Sequence, residues 1–143
     1  MNLLIYSNAT DGAAKRLRDA VGRLGLGIGT ENFEAVSDLA GRIRKGKRDV
    51  AAVVLCACTR EEFEEIFAIR DLLLDLRTIL ILPDRESGVL ARGLTMRPRF
   101  FSFADAEGDY GDVSAVLARM LEIYGKEPGW ASVGSAPLRE EKR

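Results

Sequence analysis

The sequence predicts a doubly wound α/β domain, a parallel sheet covered by helices on both faces. Three observations lead there. Short apolar runs alternate five times with stretches of helical period over about 125 of the 143 residues. The run at residues 49–58 is nearly uninterrupted and contains Val50, Val53 and Val54, the composition of a central strand buried on both sides. Directly after it, Thr59-Arg60-Glu61-Glu62 has a capping-box pattern: Thr59 caps a helix and Glu62 reaches back.

Each element has its own signal. Residues 3–6 are a compact apolar first strand, followed by the turn formers and candidate caps Ser7, Asn8, Thr10, Asp11 and Gly12. The first helix turns Ala13, Leu17, Ala20, Val21 and Leu24 to one side, with Lys15, Arg16, Arg18 and Arg23 largely off that face, and Gly25 and Gly27 end it. Residues 28–33 make a weakly apolar second strand. Val36, Leu39, Ala40 and Ile43 repeat at helical spacing up to Gly46. After the third strand, Phe63, Ile66, Phe67 and Leu73 form the stripe of one helix, whose early acids suit the positive end of its dipole. Residues 78–82 are the fourth strand, stopped by Pro83 and Asp84. A short helix containing Gly88 and Gly93 spans residues 87–94, and the fifth strand spans residues 99–104. Val113, Val116, Leu117, Met120, Leu121 and Tyr124 mark the last helix. From Gly125 the period stops, so a domain over residues 1–125 and a flexible carboxyl-terminal tail over 126–143, carrying Trp130, are expected.

Composition narrows the chemistry. With 47% hydrophobic and 30% charged residues the chain is globular, neither fibrous nor disordered. A net charge of −1 gives no general attraction to nucleic acid or anionic lipid, and no stretch approaches the roughly 20 apolar residues of a membrane span. The amino terminus lacks the basic start of a signal peptide, so a cytoplasmic location is expected. Histidine is absent, which excludes Ser/His/Asp and Cys/His catalysis on this chain alone and removes the commonest metal ligand. The two cysteines are too few for a closed zinc site and awkwardly spaced for a structural disulfide. No enzyme activity, metal or cofactor is expected.

In an open α/β sheet, ligands bind outside the carboxyl ends of the strands. The candidate crevice is therefore Ser7, Asn8, Asp11, Cys56, Cys58 and Asp84, with thiols and no acid at the end of the third strand. Cys56 and Cys58, two apart, point to one side of a regular strand; they read as small core side chains, with redox sensing the alternative. The loop at residues 7–12 serves as turn and cap, with phosphate cradling the alternative. Arg42, Arg44, Lys45, Lys47 and Arg48 place five cations in seven residues. A helix carboxyl end explains most of them, and nucleic-acid binding is not expected without interleaved aromatics. Glu61, Glu62, Glu64 and Glu65 spread around their helix and read as a solvated first turn rather than a metal cluster.

In layout, residues 1–125 resemble the receiver domain of bacterial response regulators. The resemblance implies a flavodoxin-like, three-layer sandwich with a five-stranded parallel sheet in the order 2-1-3-4-5. Receivers place two acids after strand one, a phosphate-accepting Asp at the end of strand three, Ser or Thr after strand four and Lys after strand five. Here Ser7, Asn8 and Ala9 follow strand one, with Asp11 a turn late. Val54, Leu55 or Cys56 falls in the acceptor position, Leu82 or Pro83 in the Ser/Thr position, and Phe103 or Ala104 in the Lys position. Losing the acids removes both the cation and the phosphotransfer it supports.

The resemblance therefore implies a pseudo-receiver, a non-catalytic signalling module working through protein contact. Its expected partner is another protein or a second copy, docked on the face of the fourth helix, fifth strand and fifth helix. Arg97, Arg99, Asp105 and Tyr110 flank that face. The alternative is a small-ligand or flavin-binding protein of the same topology, with its site at residues 7–12, 56–60 and 83–87. The loop at residues 7–12 is similar to the flavodoxin phosphate loop, but Ala9 and Thr10 stand where Thr and Gly are needed.

Overall fold

A computed structural model of the chain describes residues 2–8, 12–23, 29–104 and 111–126. Strands β1 (Asn2–Tyr6), β2 (Gly29–Phe33), β3 (Val50–Cys56), β4 (Thr78–Leu82) and β5 (Phe100–Phe103) form one sheet in the order β2-β1-β3-β4-β5. Every neighbouring pair is parallel. The helices are α1 (Gly12–Gly22), α2 (Val36–Lys45), α3 (Arg60–Ala68), α4 (Arg70–Leu73), α5 (Ser87–Thr95) and α6 (Gly111–Lys126). The expected flavodoxin-like architecture and strand order are thus present.

Alternation along the strands divides the core into two layers. Leu4, Tyr6, Val53, Leu55, Leu80 and Leu82 pack with Leu39 and Ile43 of α2, Phe63 and Ile66 of α3, and Val89 of α5. Leu3, Ile5, Ala52, Val54, Cys56, Ile79 and Ile81 pack on the opposite face with Leu17 and Ala20 of α1 and Val113 and Leu117 of α6. All seven residues of β3 are buried, as its apolar run requires. The polar sequence of β2 fits its place at the margin, where among the described residues no further strand pairs with it.

Two expectations are corrected. The helix after β3 is not continuous: it breaks at Ile69, and the chain tightens into bonds three residues long, Ile69 N–H to Ile66 O, Leu72 N–H to Ile69 O and Leu76 N–H to Leu73 O. Ile66, Ile69 and Leu72 all pack against the core across this break. The last helix runs on to Lys126 instead of stopping at Gly125. Leu24, Gly25, Gly27, Asp11, Asp105, Tyr110 and residues 127–143 with Trp130 lie outside the described residues.

Candidate functional site at the carboxyl edge of the sheet

β1 ends at Tyr6 and delivers Ser7 and Asn8 to the carboxyl edge, where β3 delivers Cys56 and then Cys58. Thr59, in extended conformation, caps α3 by accepting from Glu62 N–H at 3.1 Å. Glu62 reaches back as its capping-box position predicts, but one residue further than the usual box: Oε1 accepts from Cys58 N–H at 2.7 Å. Its Oε2 accepts from Asn8 Nδ2 at 3.3 Å, and the Tyr6 phenol donates to the same carboxylate.

Glu62 is therefore buried at the centre of this edge, joined to donors from β1, the loop after β1 and the loop after β3. This overturns the expectation that all four glutamates are solvated; the end of β3 itself carries no acid, and the one at this edge comes from α3. Glu61, Glu64 and Glu65 are exposed, but the amino-terminal turn of α3 aims Glu62 inward, where main-chain N–H groups and the helix dipole favour an anion. Burial pushes the Tyr6 phenol far above its ordinary value, and the negative charges of Glu62 and Glu65 push the same way.

The expected crevice residues divide. Ser7 and Asn8 are both at the edge, but Ser7 is buried and its hydroxyl accepts from Arg18 Nη1 at 3.1 Å. Cys56 is fully buried in the layer under α1 and α6, so it is not a crevice residue; its strand position places its side chain in the core. Cys58 is half-buried, with its sulfur 3.5 Å from that of Cys56. Asp84 pairs with Arg60 at 2.9 Å, and that guanidinium together with Glu86 N–H holds its carboxyl below the usual range. Arg60 also reaches Glu86 at 2.9 Å, so the first residue of α3 bridges to the loop after β4.

Tyr6, Arg18 and Glu62 are the site residues that sequence reasoning missed, whereas Arg60 falls within the stretch the ligand-binding alternative named. Glu62 had a signal in its capping-box position, and Tyr6 in being the last residue of a strand. Nothing in the sequence marks Arg18. Arg16 also reaches across, donating to Ala104 O at 3.2 Å. Among the described residues, no three His, Cys, Asp or Glu side chains come together as a metal site.

Elsewhere the charge clusters are largely structural. Arg42 is held by Glu31 at 3.0 Å and Asp49 at 2.8 Å, and Lys47 by Asp75 at 2.7 Å, while Arg44, Lys45 and Arg48 are exposed. Glu64 receives Arg92 through two bonds of 2.6 Å, and the guanidinium lies 4.4 Å from the centre of the Phe67 ring. On the expected interface, Arg97 and Arg99 are exposed, Arg97 with a positive φ of 55°. Leu94 beside them is 48% exposed. Among the described residues no helix is long and apolar enough to cross a membrane.

The sequence matches no protein-family model and no curated protein. Solved structures do resemble it. A putative pilus assembly-related protein from Burkholderia pseudomallei superposes with a TM-score of 0.59 at 18% identity, over 85% of this chain and 90% of that one. The signal receiver domain of the putative response regulator NarL from Mycobacterium tuberculosis gives 0.54 at 12% identity, over 82% and 95%. The receiver domain of a modulated diguanylate cyclase from Desulfovibrio desulfuricans gives 0.51 at 16% identity, over 85% and 96%. Buried strands, crossover helices and strand order together make this a flavodoxin-like fold of the kind found in receiver domains.

Proposed function

We propose that the chain is a receiver-like regulatory domain that acts in signal transduction through protein contact and takes no phosphoryl group on Asp. One observation carries this reading: the acid at the carboxyl edge, Glu62, gives both oxygens to donors of its own chain. A carboxylate held in this way has both oxygens engaged by its own chain, and neither grips a cation nor presents itself as a phosphate acceptor. The ends of β1 and β3 support the same reading, since they supply Ser7, Asn8 and Cys56 in place of acids.

In this role the chain is a non-catalytic, cytoplasmic module of bacterial type. The likeness to receiver domains of a response regulator and a diguanylate cyclase supports a place in signalling. Its docking face is that of α5, β5 and α6, where Arg97 and Arg99 provide charge and Leu94 provides apolar surface. The occupant is another protein or a second copy. The flavin-binding reading has less support, because the Ser7 hydroxyl at the head of the loop is buried under Arg18.

The test is incubation with acetyl phosphate and magnesium, followed by intact mass and an absorption spectrum. An unchanged mass and a colourless protein are expected. A phosphorylated adduct overturns the reading, and a bound chromophore replaces it with the ligand-binding one.

A further inference from the structure

Cys56 and Cys58 stand with their sulfurs 3.5 Å apart at the end of β3, a strand buried along its whole length. They differ in access and in restraint. Cys56 is fully buried and lies in register opposite Ile81, and the next residue, Ala57, donates its N–H to Ile81 O at 2.9 Å. Cys58 is half-buried and lies beyond that ladder, its N–H turned to Glu62 at 2.7 Å.

We propose that the two form a reversible redox pair in which hydrogen peroxide oxidises Cys58 and Cys56 resolves it as a disulfide. The Cys58 thiolate attacks one peroxide oxygen; an S–O bond forms, the O–O bond breaks, and the departing hydroxide takes a proton to become water. The Cys56 sulfur then attacks the Cys58 sulfur. The S–S bond forms as S–O breaks, and the second hydroxide leaves as water with the Cys56 proton. Two thiols and one peroxide give one disulfide and two waters, the two electrons passing from sulfur to oxygen.

Access assigns the roles, because the half-buried thiol meets the oxidant and the buried one is already in contact with it. Capture of a soft metal ion by the same sulfurs is less favourable. It needs both as thiolates, which places excess negative charge in an apolar layer beside Glu62, and no third ligand accompanies them among the described residues. A disulfide is neutral and needs no third group.

The sulfurs must close to about 2.05 Å. Cys56 is pinned by the sheet, so Cys58 makes the movement, drawing its N–H against the bond to Glu62. The short ring is strained and therefore easily reduced, which suits a regulatory bond rather than a structural one. Oxidation thus acts on the contact that organises the carboxyl edge.

The experiment treats reduced full-length protein with hydrogen peroxide, quenches it with N-ethylmaleimide in denaturant and records intact mass. The chain has only these two cysteines, so the expected species has lost the mass of two hydrogen atoms and takes up no maleimide. Dithiothreitol restores two maleimide adducts. Cys58→Ser, a change at the half-buried position, abolishes the species. Cys56→Ser leaves a Cys58 sulfenic acid trapped by dimedone; where that core variant does not fold, Cys58→Ser still decides. Two maleimide adducts after peroxide, or a disulfide-linked dimer in place of the intramolecular product, overturns the proposal.

Discussion

Truncating Glu62 to alanine is the sharpest test of how the carboxyl edge is held together. Glu62 is 7% exposed, and its carboxylate receives Cys58 N–H at 2.7 Å, Asn8 Nδ2 at 3.3 Å and the Tyr6 phenol. The Asn8 bond is long and its amide rehydrates readily, so the main-chain and phenol donors carry most of the loss, about 1–3 kcal/mol each when left buried without a partner. Removing a desolvated charge offsets part of this, leaving a net destabilisation of about 3 kcal/mol for Glu62→Ala. For a domain of this length the thermal midpoint falls by about 10 °C. Glu62→Gln keeps an acceptor for Cys58 N–H but turns an amide donor toward Asn8 and Tyr6, and loses roughly half as much. Urea unfolding followed by circular dichroism measures both, with equal slopes expected across the series. A Glu62→Ala loss within about 0.5 kcal/mol, the range of ordinary surface substitutions, refutes the reasoning and leaves the edge an open, solvated crevice.

Alkali supplies a second readout. Burial raises the Tyr6 phenol above its ordinary value of 10.0, so the stability it contributes is complete below that pH and is lost as pH rises toward the folded value. The slope from this proton is at most about 1.4 kcal/mol per pH unit, and Tyr6→Phe removes it from the alkaline unfolding profile. Two glycines should respond in opposite directions to alanine in the same unfolding assay. A Cβ at Gly41 in α2 meets nothing within 4 Å, and the change gains about 0.5–1 kcal/mol of helix stability. A Cβ at Gly93 in α5 meets Leu82 at 3.0 Å and Leu80 at 3.3 Å, so overpacking of about 1–3 kcal/mol outweighs the same gain. Arg92→Ala releases Glu64, whose carboxyl Arg92 holds below its ordinary range; an NMR titration should show it moving up. The midpoint also falls, and part of that fall persists in high salt because the stacking on Phe67 is lost together with the ion pair.

What the sequence made legible depends on how local the controlling force is. β3 and β4 are buried on both faces, so their composition alone identifies them, and α2 has its four buried residues at the spacing that marked it. The break at Ile69 has no glycine or proline to announce it. Ile69 and Leu72 pack against the core at the break and just after it, contacts that involve residues distant in the chain. Glu62 illustrates the same limit at the site. Its cap partner Thr59 is local and was readable, but its burial depends on Tyr6 and Asn8, more than fifty residues earlier in the chain. Arg18 and Arg60 acquire their places only when α1 and the loop after β4 are brought beside the sheet.

The two margins of the sheet differ in kind. At one, β2 offers Thr30, Glu31 and Asn32, with Glu31 clasped by Arg42. At the other, β5 is Phe100, Phe101, Ser102 and Phe103, with Arg85 laid over the Phe103 ring. Strand-to-strand growth at the polar margin costs the desolvation of a paired acid, whereas growth at the aromatic margin adds apolar area. Copies joined by like margins would close upon a twofold axis, so the difference between the margins decides which of them a second strand would meet at the lower cost.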